Sequence, residues 1–227
     1  MRDLKKAHGS AVRRPVLFQN FATRLLNTFL PWLVLPPPSG VVNRDYWEAY
    51  PTSHFNDMEP ASMALLAEIM ALVPDRGSAI LDMGCNVGRH LNYLHGQGYR
   101  NLRGVDFSTQ ALRDMEARYP DMYKASRVTA ASFQEFLDSD PEPVDLVYTR
   151  GATFENVHPG YPLVRRVCAI ARRYVVMVIS EAAHAYPRFW EYEFARSGFE
   201  LHHLRRPAAS ETPEHRVSLL TFERLAG

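Results

Sequence analysis

The chain has 227 residues, 46% of them apolar and 22% charged, a composition that excludes general disorder and suits one ordinary domain with a deep core. The net charge of +1 hides an asymmetry: residues 1–14 hold Arg2, Lys5, Lys6, Arg13 and Arg14 against Asp3, so the body is slightly acidic and offers no general nucleic-acid footprint. Two cysteines, Cys85 and Cys168, both in apolar segments, suggest reduced thiols in a cytoplasmic setting and are too few for a cysteine zinc site.

In chain order, Val16 to Leu35 is the most hydrophobic stretch, but Gln19, Asn20, Arg24, Asn27 and Pro31 interrupt it, so it falls short of a membrane span. Helical spacing places Phe18, Phe21, Leu25, Phe29 and Trp32 on one face and Asn20, Arg24 and Asn27 on the other. The expectation is a helix that packs on the domain or covers a cleft. A peripheral membrane contact through residues 16–35, helped by the basic residues before it, is the sharper alternative. Pro36-Pro37-Pro38-Ser39-Gly40 ends the segment as a stiff linker, and the boundary is set between an appendage, 1–45, and a main domain, 46–227.

From there the pattern alternates. A helix over Glu59–Leu72 precedes a strand at Ala79–Met83, a helix from Gly88 to Leu94 precedes a strand at Leu102–Val105, and a helix over Thr109–Tyr119, capped by Ser108, follows. Next come a strand at Val128–Ala130, a short helix at Phe133–Leu137, a strand at Val144–Tyr148 and a helix at Leu163–Ile170. Tyr174–Ile179 is apolar enough for a central strand, and a helix at Phe189–Arg196 leads to two last strands, Phe199–Leu204 and Val217–Phe222. The alternation predicts a doubly wound, seven-stranded, mostly parallel α/β sheet whose last two strands pair antiparallel at one end.

In such sheets ligands bind at the carboxyl ends of the strands. The first end reads AILDMGCNVGRHL: Asp82 ends the strand, Gly84 opens a tight turn and Gly88 starts the helix. Eighteen positions beyond Gly88, the second strand ends in Asp106, placed to accept hydrogen bonds from two ribose hydroxyls. Asn86 and Arg89 break the dinucleotide fingerprint G-x-G-x-x-G, and the Lys-Ser/Thr pair of a phosphate-cradling loop is missing. The acid beside the loop suits a ligand with an amino group better than a pyrophosphate.

LDMGCNVG followed by GVDFS, VTAASFQEFL and DLVYTRGATFENVHP resembles the class I S-adenosylmethionine-dependent methyltransferases, roughly from Tyr46 to Phe222. The resemblance implies a Rossmann-like fold and S-adenosylmethionine as cofactor. It implies that Asp82, Gly84, Cys85, Asn86 and Gly88 hold the methionine part, Asp106 the ribose and Phe107 the adenine face. Ser132 and Phe133 then border the adenine, while Thr149 and Arg150 face the methionine end. The family's usual middle glycine is Asn86 here, a residue that tolerates positive φ. The N/D-P-P-Y/F motif of amino-methylating DNA and glutamine enzymes is absent, as is the Pro-Cys nucleophile of cytosine-C5 enzymes, so the expected acceptor is a hydroxyl or amine of a small molecule or glycan, not a nucleic acid.

Methyl transfer from a sulfonium needs chiefly in-line positioning, which supplies up to ~7–11 kcal/mol. Where the acceptor needs a base, His158 is the first candidate and His184 the second, both in loops on the cofactor side; the alternative is that they are polar loop residues. Tyr46, Trp47, Glu155 and Glu181 are candidate acceptor contacts. No metal site is expected: His202 and His203 point to opposite faces of a strand, and His90 and His95 lack helical i, i+4 spacing. Arg89 reads as a surface residue at a helix start. The competing functions are a non-catalytic binding subunit of the same fold, favoured by Asn86, and a methyltransferase acting on a membrane-associated lipid or lipid-linked acceptor.

Overall fold

A computed structural model describes residues 16–35, 47–48, 51–55, 57–150, 154–180, 185–205 and 217–226, with the side chains of 16–20, 54, 55 and 180 excepted. Tyr46, Glu181, His184, Phe18 and the proline linker lie outside the described residues or side chains.

The elements are α1 (Val16–Phe29), α2 (Pro60–Leu72), β1 (Ala79–Met83), α3 (Arg89–Gly96), β2 (Asn101–Asp106), α4 (Thr109–Arg118), α5 (Pro120–Ala125), β3 (Arg127–Ala130), α6 (Phe133–Asp138), β4 (Val144–Arg150), α7 (Leu163–Ile170), β5 (Ala171–Ser180), α8 (Trp190–Ala195), β6 (Phe199–Arg205) and β7 (Val217–Arg224). The sheet runs β3-β2-β1-β4-β5-β7-β6, with β7 antiparallel to β5 and β6 and all other pairings parallel. The alternating sequence folds this way because each parallel pairing needs a helical crossover, whereas β6 and β7 do without one. β5 is interior, as its YVVMVI run demands, and β4 and β5 run longer than their apolar cores suggested.

Two buried clusters fill the two faces. One joins Leu81, Val147, Val175 and Met177 to α7 and α8; the other joins Ile80, Leu146, Tyr148 and Val176 to α2, α3 and α4. Ser108 caps α4 by accepting from Ala111 N at 3.2 Å, as its position before the helix predicts. α5, a single turn begun by Pro120, was not foreseen; it is too short to show a periodic stripe.

α1 packs on the main domain through both faces: Phe29 sets its ring 4.8 Å from that of Tyr192. Asn27, from the polar face, is the buried residue, 3% exposed, and donates from Nδ2 to Pro187 O at 2.8 Å. Phe189 N donates to Thr28 Oγ1 at 3.0 Å, and Phe21 meets Phe189 edge-on. The segment 185–189 lies outside helix and strand, and its backbone groups at Pro187 and Phe189 take polar side chains as partners, which the apolar face of α1 lacks.

Candidate active site

β1 lies between β2 and β4, where the strand order reverses, so the crevice expected of such sheets opens at its carboxyl end. Register sets Met83 beside Val105 and Asp106 beside Ala130, which brings the ends of β1, β2 and β3 to one edge. Gly84 and Cys85 both donate backbone N–H to Val105 O, at 2.9 and 3.2 Å, so the turn after β1 folds over β2. The turn needs three left-handed residues, Gly84 (φ 87°), Asn86 (φ 46°) and Gly88 (φ 72°). Asn86 takes the place of a glycine at little cost, because Asn is among the few residues that visit this region and its Oδ1 accepts from Val87 N at 2.8 Å.

Asp106 closes the turn from the other strand. Its Oδ2 accepts from Asn86 N and its Oδ1 from Ser108 N, both at 2.9 Å. With the Phe107 amide as a third backbone donor, the carboxylate keeps acceptor capacity for a ligand hydroxyl. Burial pushes its pKa up, against the backbone hydrogen bonds from Ser108, Asn86 and Phe107. Ser132 caps α6 through a capping box with Glu135, and Phe133 sets its ring edge-on to Phe154, so both stand just past the end of β3.

Asp82 is enclosed by its neighbours. It is 1% exposed and sits beneath the turn. Tyr148, its register partner on β4, donates its hydroxyl to Asp82 Oδ2 at 2.9 Å. His90 Nδ1 is 4.0 Å from the same oxygen, and His90 Nε2 meets Ser62 Oγ at 3.0 Å. Burial first, then the charges of Arg89 and Arg150, hold His90 neutral, so His90 and Asp82 form no ion pair. Ser62, His90, Asp82 and Tyr148 thus form a buried polar chain from α2 to β4. Sequence reasoning weighed His90 only as a metal ligand and missed Tyr148; the signal was a tyrosine and a histidine in segments otherwise read as core.

Arg89 is also corrected: it is buried, with its guanidinium donating to Asp57 O. Arg150, at the end of β4, pairs with Glu59 at the start of α2, and Thr149 Oγ1 donates to Met83 O at 2.9 Å. Cys85 is buried and its thiol pKa is raised by burial, as suits a packing residue.

The candidate acceptor residues have mixed positions. Gly160 N donates to His158 Nδ1 at 3.1 Å, which leaves Nε2 as the donor to Val34 O at 2.9 Å. His158 therefore clasps the segment after α1 to the loop after β4. Glu155 is buried, and its charge reaches the buried Arg188, which also pairs with Glu193 at 3.5 Å. Trp47 is half-buried. His202 and His203 face opposite ways, to Glu223 and Glu68, each at 3.1 Å, and no metal-binding group occurs among the described residues.

Residues 80–175 match the family model described as a methyltransferase domain. This match, under half of the chain, supports the resemblance to the class I S-adenosylmethionine-dependent methyltransferases. No curated protein sequence matches it. Among solved structures, the chain is similar to the magnesium protoporphyrin IX methyltransferase of Synechocystis with bound S-adenosylmethionine: 12% identity, 95% of this chain and 100% of that one, TM-score 0.59. It is similar to a chain of the Haloferax volcanii complex between the Trm112 methyltransferase activator and a methyltransferase: 15% identity, 81% and 96% coverage, TM-score 0.63. A TehB-like methyltransferase of Corynebacterium glutamicum gives 17% identity, 76% and 91% coverage and TM-score 0.55. At these identities the structures share the fold.

The Asp82 pKa is pushed up to about 7, chiefly by burial, partly offset by the Tyr148 hydrogen bond. The unfolded carboxyl titrates near the ordinary 3.8, so between about pH 4 and about pH 7 the folded protein holds the extra proton and stability falls as pH rises. Urea unfolding across this range is expected to show Asp82→Asn gaining on the parent by up to about 4 kcal/mol toward the alkaline end. A difference independent of pH would mean that Asp82 is ionised throughout.

Proposed function

We propose that this methyltransferase methylates a hydroxyl or amine of a small molecule or glycan, holding its cofactor at the ends of β1, β2 and β3. The observation that carries the cofactor reading is the Asn86–Asp106 closure: a formed turn of left-handed residues beside a carboxylate with acceptor capacity left for a ribose hydroxyl. These residues fit S-adenosylmethionine, since the turn offers backbone amides and carboxylates and no basic phosphate clamp. S-adenosylmethionine supplies a methyl group already activated on a sulfonium.

The chain's residues bind, orient and exclude water. Asp106 fixes the ribose, Phe107 and Phe133 flank the adenine with Ser132 beside them, and the turn from Gly84 to Gly88 holds the methionine part. Asp82 supports that turn from below through Tyr148, in place of direct contact with the ligand. Arg150 and Thr149 set the floor toward the acceptor, and Trp47 with Tyr46 forms its wall. His158 serves as base only with its hydrogen bond to Val34 open, which leaves His184 and Glu181 as the other candidate groups. Glu155 acts through Arg188. The non-catalytic alternative rested on Asn86; the turn forms with Asn86 in place, which removes that support.

Calorimetry with S-adenosylmethionine and S-adenosylhomocysteine tests the first half, with micromolar binding expected. No binding by folded protein overturns it. Transfer of labelled methyl to a panel of hydroxyl and amine acceptors tests the second half; transfer only to protein or nucleic acid overturns the acceptor class.

A further inference from the structure

The amphipathic helix α1 meets the body through Asn27, Thr28 and the edges of Phe21 and Phe29, and much of its apolar side stays exposed. Leu25 and Leu30 are exposed on α1 and in the residue after it, and the turn that follows adds Trp32 (72% exposed), Leu33 (58%) and Leu35 (83%). This concentration of large apolar side chains on one short segment is unlike the scattered exposure of an ordinary soluble surface. Around it the sequence is one-signed: from Leu4 through Arg44 there is no carboxylate, while Lys5, Lys6, Arg13, Arg14, Arg24 and Arg44 are cationic. The segment is anchored to the loops after β4 and β5, through His158 to Val34 O, Asn27 to Pro187 O and Thr28 to Phe189 N. Within the described residues no helix is long and apolar enough to cross a membrane.

We infer that the outward face of residues 22–35 docks on an anionic lipid surface and holds the loops after β4 and β5 against it. An apolar face with a tryptophan at its end, in a stretch of sequence that holds cations and no acids, is the chemistry that the boundary between acyl chains and anionic headgroups accepts. Either signal alone binds weakly and reversibly; the two together give stable attachment. A second copy of the chain fits less well, since two such cationic segments brought face to face repel each other. Transfer to a soluble or to a lipid-linked acceptor is equally compatible with this attachment, so it stands apart from the acceptor class.

The test is co-sedimentation of the full chain with vesicles of equal parts phosphatidylglycerol and phosphatidylcholine, and with phosphatidylcholine alone. Binding to the anionic vesicles is expected, weakened in about 0.5 M salt by screening of the basic residues. The triple variant Leu25→Glu, Trp32→Glu, Leu33→Glu alters only exposed positions and is expected to lose about tenfold or more in affinity. Its calorimetric affinity for S-adenosylhomocysteine serves as the folding control and is expected to match the parent's, which separates failure of this inference from failure of the cofactor reading. Absence of binding to anionic vesicles overturns the inference, as does equal binding by the triple variant. A vesicle-independent dimer that the triple variant abolishes overturns it in favour of self-association.

Discussion

Replacing Asp106 with Ala is expected to weaken S-adenosylhomocysteine binding by up to about a hundredfold. A hydrogen bond to a charged acceptor contributes ~1.5–3 kcal/mol, and it would be lost. The same carboxylate also receives Asn86 N and Ser108 N, so the substitution leaves two backbone donors without acceptors and loosens the turn. Asp106→Asn separates the two effects. It keeps one acceptor oxygen and the side chain's volume but removes the charge, so the thermal midpoint is expected to recover more than the affinity does. Calorimetry and thermal unfolding on the same samples read both. Unchanged affinity in Asp106→Ala would remove the ribose assignment and with it the main support for the cofactor site.

Gly88→Ala is expected to destabilise the fold by about 2–4 kcal/mol, combining left-handed strain with overpacking. A Cβ there would stand 2.7 Å from Met115 Cγ and 2.8 Å from Met115 Sδ, at a backbone φ of 72°. The clash and the strain are separable. Met115→Ala removes the clash and costs stability of its own by leaving a cavity. The double variant is therefore expected to be about 1–2 kcal/mol better than the sum of the single variants, as contacting residues generally couple. Urea unfolding of the four proteins completes the cycle; strict additivity would mean that Met115 moves aside freely and that only the backbone strain matters.

How far the sequence reached depends on the range of the interaction concerned. The Asp82–Gly88 turn and Asp106 were readable because the motif is local: residues six apart form the turn, and a strand end two elements later completes it. Ser108 as a cap was readable for the same reason. The buried chain from Ser62 through His90 and Asp82 to Tyr148 was not, since it draws on α2, α3, β1 and β4, and no spacing within one element marks it. That Asp82 is buried against Tyr148 was not readable from its position at a strand end, since its neighbour across the sheet decides it. His158 was read as a base from its loop, but a partner 124 positions away, Val34, takes its Nε2.

By itself the sequence determined the α/β alternation, the parallel sheet with its antiparallel end, and the cofactor turn, because apolar periodicity and glycine placement act over a few residues. Tertiary structure alone decided which polar groups are buried together and which way α1 faces. Periodicity shows that a helix has two faces, but which face turns inward depends on what the neighbouring segment needs. Here the groups were the Pro187 carbonyl and the Phe189 amide, and Asn27 and Thr28 satisfied them while Phe21 and Phe29 packed only by their edges and stayed partly exposed.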